Sequence, residues 1–160
     1  MSQNNESPGE KILANWKKLQ NKPFGKQLFS RAVGKMAAYT GTIKALITDL
    51  KPGHCQAFLK ERRGNKNHLK SIHAVALINL GEVTSGLAVL SGMTSQIRGI
   101  LTKMEMEYIK KAKGDLTAEC ICEIPEVVDS IDYTVTTTIK DLSGEVVAVG
   151  TFYWLLSRKT

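Results

Sequence analysis

The sequence predicts an α+β fold in which a curved antiparallel sheet of about six strands wraps one long helix, with two further helices ahead of the sheet. Three observations lead there. The stretch from Ala74 to Leu90 is apolar on nearly all sides of a helix, interrupted by Asn79, Glu82, Thr84 and Ser85, and such a helix has to be covered on nearly all sides. From Thr102 onward the pattern changes to alternation with period two, the mark of strands. Ahead of Tyr39-Thr40-Gly41, apolar residues instead recur at helical spacing.

The elements follow in order. Glu10 to Asn21 sets Ile12, Leu13, Trp16 and Leu19 on one side of a helix, which Asn21-Lys22-Pro23 stops. A second amphipathic helix from Phe24 to Ala38 is expected to bury Phe24, Leu28, Ala32, Val33 and Met36. Ile43 to Leu50 and His54 to Arg62 read as strands, made an antiparallel pair by the Lys51-Pro52-Gly53 turn. A loop from Arg63 to Ile72 leads into the apolar helix, His73 to Leu90.

After it, Thr102, Met104, Met106 and Tyr108 alternate with charged residues, and Leu116, Ala118, Cys120, Cys122 and Ile124 repeat the pattern until Pro125. Ile131 to Lys140 and Glu145 to Leu156 flank the Asp141-Leu142-Ser143-Gly144 turn. These four strands are expected to form an antiparallel meander. The organisation is one domain over residues 1–160, with 1–40 as a helical cap and 41–160 as the core.

The chain has 160 residues, enough for one core without disulfides or metals, and its 42% apolar and 23% charged content excludes disordered and collagenous classes. The apolar stretch after His73 carries too many polar breaks to span a bilayer and reads as a buried core helix. Met1 to Glu10 is polar and lacks the order of a signal peptide, so a cytoplasmic setting without a membrane partner is expected. Cys55, Cys120 and Cys122 have neither disulfide nor zinc spacing and are expected as reduced packing residues, with no metal or redox cofactor. A net charge of +7 favours an anionic partner. The basic residues accompany no nucleic-acid recognition motif, so nucleic acid is not expected.

The segment from Asn67 to Glu82 concentrates the candidate chemistry. Asn67 precedes His73, His73 opens the apolar helix, and Glu82 follows nine residues after it. This segment resembles the active-site region of hotdog-fold acyl-CoA thioesterases of the phenylacetyl-CoA and 4-hydroxybenzoyl-CoA type. In those an Asn or Gln precedes a His-Gly-Gly helix start and an acidic residue follows nine positions later. The wider chain, including Tyr39-Thr40-Gly41 and Lys110-Lys111-Ala112, resembles a bacterial hotdog subfamily of poorly assigned function. One departure is that Ala74-Val75 stands where Gly-Gly is usual, which keeps the backbone donor but narrows the approach to it. The resemblance implies a hotdog fold, thioester hydrolysis with coenzyme A as part of the substrate, and a homodimer or dimer of dimers.

Thioester hydrolysis builds negative charge on the carbonyl oxygen, and the free Ala74 N–H in the first helical turn can stabilise it. Glu82 can activate water as a general base or attack the thioester itself. Asn67 can hold His73 or offer an amide contact. Asn79, Ser85 and Gly86 share the Glu82 stripe and leave room for substrate. Arg62, Arg63, Lys66 and Lys70, with His68 on the same loop, are candidate contacts for the coenzyme A phosphates. Ala74 and Glu82 are separated by about 12 Å along the axis, so a two-fold dimer has to bring Glu82 of one chain to Ala74 of the other. Two alternatives remain open: a hydratase or dehydratase using His68 and Glu82, fourteen positions apart, and a non-catalytic acyl-CoA-binding protein.

Overall fold

The computed structural model describes residues 7–159; Met1 to Glu6, part of the segment read above for a signal peptide, lies outside them. Helix α1 (Pro8–Leu19) begins two residues before the expected Glu10. Ser7 Oγ accepts the Glu10 N–H at 3.0 Å, and the Glu10 carboxylate accepts the Ser7 N–H at 2.6 Å. With Pro8 in the first turn, this reciprocal cap fixes the start.

Helix α2 (Gly25–Met36) buries a different face from the one expected. Gly25 and Phe29 are buried and Val33 is half-buried, whereas Phe24, Leu28, Ala32 and Met36 face solvent. Two interactions set its rotation. Phe29 meets Trp16 of α1 edge to face, with centroids 5.0 Å apart. Ser30 Oγ accepts the Ile47 N–H, and Lys26 Nζ donates to the Thr48 carbonyl, so the polar side of α2 is tied to the next strand.

Strands β1 (Leu46–Lys51) and β2 (His54–Leu59) form the expected hairpin, with Gly53 in the left-handed region at φ 72°. After helix α3 (Ala74–Gly92) come β3 (Ile97–Tyr108), β4 (Leu116–Ile121), β5 (Ser130–Asp141) and β6 (Val146–Arg158). The sheet is antiparallel throughout in the order β1-β2-β4-β5-β6-β3.

The expected meander is therefore wrong at one join: β3 pairs with β6 at the sheet edge, while β4 pairs with β2 and β5. The chain after β3 runs past the start of α3, where the Ile72 N–H donates to the Ala112 carbonyl, and so reaches β2. Strand β3 also begins at Ile97 rather than Thr102, because an irregularity between Leu101 and Lys103 shifts the alternation and hides its first half. Strand β4 ends at Ile121, short of the expected Ile124.

Helix α3 is the core of this hotdog fold. By length and composition it could cross a membrane, but most of it is buried within the protein, as expected of a core helix. The sheet covers it closely: a Cβ at Gly81 would stand 2.8 Å from Phe152 Cζ on β6. Its hydroxyls are satisfied, Thr84 donating to the Leu80 carbonyl and Ser91 to either the Lys51 carbonyl at 2.8 Å or the Ala88 carbonyl at 3.0 Å. Cys55 and Cys120 are buried, face each other across β2 and β4, and are free; burial pushes the Cys55 thiol up.

Candidate active site

Helix α3 starts where the sequence places it. His73 is its N-cap, with Nδ1 accepting the Val75 N–H at 3.1 Å. This bond makes Nδ1 the acceptor and leaves the ring proton on Nε2. His73 is exposed, and its own N–H donates to the Asn65 carbonyl. The Ala74 N–H has no hydrogen-bond partner among the described residues, so it remains a free donor at the positive end of a long helix. The Ala74 carbonyl accepts from Tyr108 Oη at 3.1 Å, which ties β3 to this helix end.

Asn67 does not hold His73. Its Oδ1 accepts from the Leu69 N–H, the Ser71 N–H and Ser71 Oγ, at 2.9, 3.2 and 3.2 Å. With Asn67 N donating to the Ser71 carbonyl and Lys70 N to the Asn67 carbonyl, these bonds close a tight loop. Lys70 sits in it at φ 59°, a left-handed conformation uncommon for a long side chain. The Asn67 side chain therefore builds the approach to α3.

Glu82 lies two turns into α3, half-buried, and burial raises its carboxyl above the usual carboxylate range. No hydrogen bond or ion pair reaches that carboxylate among the described residues. The neighbours that could have neutralised it are engaged elsewhere. Asn79 Nδ2 donates to the Tyr39 carbonyl at 3.3 Å, and Ser85 Oγ donates to the Glu82 backbone carbonyl at 3.1 Å. At Gly86 a Cβ would stand 3.8 Å from Glu82 Oε1 and 3.9 Å from Trp154 Cη2, so this glycine leaves a notch bounded by both. Trp154 is buried and its indole N–H has no partner among the described residues. It is a candidate site residue that the sequence reading missed, because only the register of β6 brings it to the notch.

Along α3, Val75, Ile78 and Glu82 form a stripe that is left partly open. Met104 and Tyr108, on the edge strand β3, are half-exposed. Met104 pairs with the buried Phe152, so it faces the α3 side of the sheet.

The cationic candidates gather separately. A surface cleft of about 570 Å³ is lined by Glu61, Arg62, Arg63, Lys66, Asn67, His68 and Lys70. Lys66 pairs with Glu61 at 2.8 Å, and together with the Gly114 N–H it holds that carboxyl below its ordinary value. Arg62 Nη2 donates to the Thr42 carbonyl at 2.6 Å. Arg63 and Lys70 are exposed and make no ion pair among the described residues. His68 lines this cleft and Glu82 does not, so the two residues of the hydratase alternative are not brought to one cavity within the chain.

A family model described as "Domain of unknown function (DUF4442)" matches residues 25–156. No curated protein matches the chain. Among solved structures, PA5026 from Pseudomonas aeruginosa, described as a "Protein of Unknown Function" and "Probable Thioesterase", superposes with a TM-score of 0.76 at 24% identity, covering 83% of this chain and 95% of that one. A "Hypothetical Thioesterase Protein with Coenzyme A" from Streptococcus pneumoniae has a TM-score of 0.64 at 20% identity, covering 79% and 99%. The protein smu.793 from Streptococcus mutans, bound to acetyl CoA, has a TM-score of 0.61 at 19% identity, covering 72% and 90%. At these identities the likeness is one of fold.

Proposed function

The chain belongs to the family described as "Domain of unknown function (DUF4442)", and we propose that it hydrolyses acyl-CoA thioesters in a site shared between two copies of itself. The observation that carries this reading is Glu82: a half-buried carboxylate, raised by desolvation, with no partner on its own chain among the described residues. A group left in that state is costly to the fold, and sites of catalysis are where such costs are retained.

In the proposed reaction the thioester carbonyl oxygen sits against the Ala74 N–H, which stabilises the charge that develops there. Glu82 takes a proton from water as the water oxygen bonds to the carbonyl carbon, or attacks that carbon itself. In the first route the carbon–sulfur bond then breaks and the thiolate leaves as coenzyme A, taking up that proton; in the second the thiolate leaves as an acyl–Glu82 anhydride forms, and water hydrolyses the anhydride to the free acid and the carboxylate, its proton passing to the thiolate. The rise of about 12 Å between Ala74 and Glu82 prevents one helix from doing both. Two copies with antiparallel α3 helices would meet the requirement. Such a pairing would also cover the open stripe of Val75 and Ile78 and the half-exposed Met104 and Tyr108. The cleft with Arg63 and Lys70 supplies cations for the phosphates of coenzyme A. Coenzyme A and acetyl-CoA bound to proteins of this fold support that assignment.

Thiol release from a panel of aryl and alkyl acyl-CoAs, followed with a thiol reagent, tests the reading on wild type, Glu82→Ala and His68→Ala. Wild type releases thiol, Glu82→Ala loses the activity, and His68→Ala keeps most of it. Binding of every acyl-CoA without thiol release would leave a non-catalytic binder instead.

A further inference from the structure

Helix α2 was expected to bury the residues it exposes. Phe24 and Met36 are each 80% exposed, and Leu28 and Tyr39 also stand in solvent. Leu28, Arg31, Ala32 and Lys35 are spaced i, i+3, i+4 and i+7 and all exposed, so they form one continuous outer stripe opposite Phe29 and Val33. Phe24 at its head has φ 56°, a left-handed conformation disfavoured for a bulky side chain, and this strain presents an aromatic ring to water. The charge along this part of the chain is one-signed. Between Lys11 and Thr48 the chain has eight Lys or Arg residues and no Asp or Glu.

We infer that the outward side of α2 together with its two ends, where Phe24, Leu28 and Met36 stand exposed among cations, is a docking surface for an anionic lipid bilayer. Large apolar side chains mixed with Lys and Arg on a surface helix match an interface in which the rings and aliphatic chains enter the acyl boundary while the cations meet the headgroups. A second copy of the chain fits poorly, because an isologous contact would oppose two faces of like charge. A soluble acidic protein fits less well than a bilayer: the apolar side chains stand out from a convex helix, and the clefts lined by Arg63 and by Leu90 lie elsewhere. The expectation of no membrane partner considered only a spanning helix, which surface docking does not need. The inference is independent of the reaction proposed above, and a chain that hydrolyses nothing would bind vesicles equally well.

The test is co-sedimentation of the full chain with vesicles of equimolar phosphatidylglycerol and phosphatidylcholine, against phosphatidylcholine alone. Wild type sediments with the anionic vesicles only, and molar salt releases it. The variant Phe24→Ser/Leu28→Ser/Met36→Ser, changed only at exposed positions, partitions about tenfold less or weaker. Phe24→Trp provides a second readout, since Trp16 and Trp154 are buried and a blue shift on adding vesicles reports ring insertion. Absence of binding to anionic vesicles, binding unaffected by the triple change, or no shift for Phe24→Trp while soluble polyglutamate binds equally well would each overturn the inference.

Discussion

Glu82 is a position where stability and the proposed chemistry make opposite demands. Its carboxyl is raised by burial, so the folded chain holds the proton more tightly than the unfolded chain does. Below the ordinary carboxylate range both states are protonated and the residue costs nothing. As pH rises through the folded-state value, ionisation in a half-buried site removes stability. Glu82→Gln should therefore raise the melting temperature at neutral pH and leave it unchanged in acid, while abolishing hydrolysis. Thermal melts across pH check the sign: a variant less stable than wild type at neutral pH would mean that the carboxylate is paired after all. The sequence showed Glu82 as a lone charge in a greasy helix, and showed His73 at the helix start. Whether Asn79 or Ser85 neutralised that charge was not legible, since Asn79 turns to a carbonyl forty residues away and Ser85 to its own turn. For Asn67 the sequence leaves open a contact to His73 or an amide contact to substrate; the side chain takes Leu69 and Ser71 instead, the near partners that an Asn reaches in a turn.

At the level of elements, the long helix and the β1–β2 hairpin were legible because each carries a strong local signal. The start of α1 is also written in the sequence, as the capping signal Ser7-Pro8-Gly9-Glu10, which precedes the first apolar repeat. The inner face of α2 was not legible. Apolar residues occur all round it, and the choice was made by long-range contacts, Phe29 on Trp16 and Ser30 on Ile47. The placement of β3 failed for a related reason: alternation identifies a strand without naming its neighbour. Where α1 crosses α3 the packing is tight, since a Cβ on Gly9 would lie 1.9 Å from the Leu90 carbonyl oxygen. Backbone cannot rotate away as a side chain can, so Gly9→Ala should lower stability by about 1–3 kcal/mol. Denaturant unfolding measures this; a neutral effect would mean that α1 is not held against α3 as described.

At the scale of the whole molecule, the proposed site depends on a second copy. The open stripe of α3, the half-exposed inner residues of β3 and the free edge of that strand lie together, and a long unpaired edge strand is a surface proteins normally cover. Ala74 offers an unusually clean way to ask who supplies what. It is the first residue of α3, and His73 before it has φ −65° and ψ 139°, a backbone that precedes proline readily. Ala74→Pro should delete the free N–H with the helix intact and lower kcat by about a hundredfold to a thousandfold. The decisive measurement is then thiol release after unfolding and refolding Ala74→Pro together with Glu82→Gln, each inactive alone. Random pairing makes half the dimers hybrid, each with one intact site, so about a quarter of wild-type activity should return. A mixture as inactive as its components would contradict a thioester site built from the start of one helix and the carboxylate of its twin.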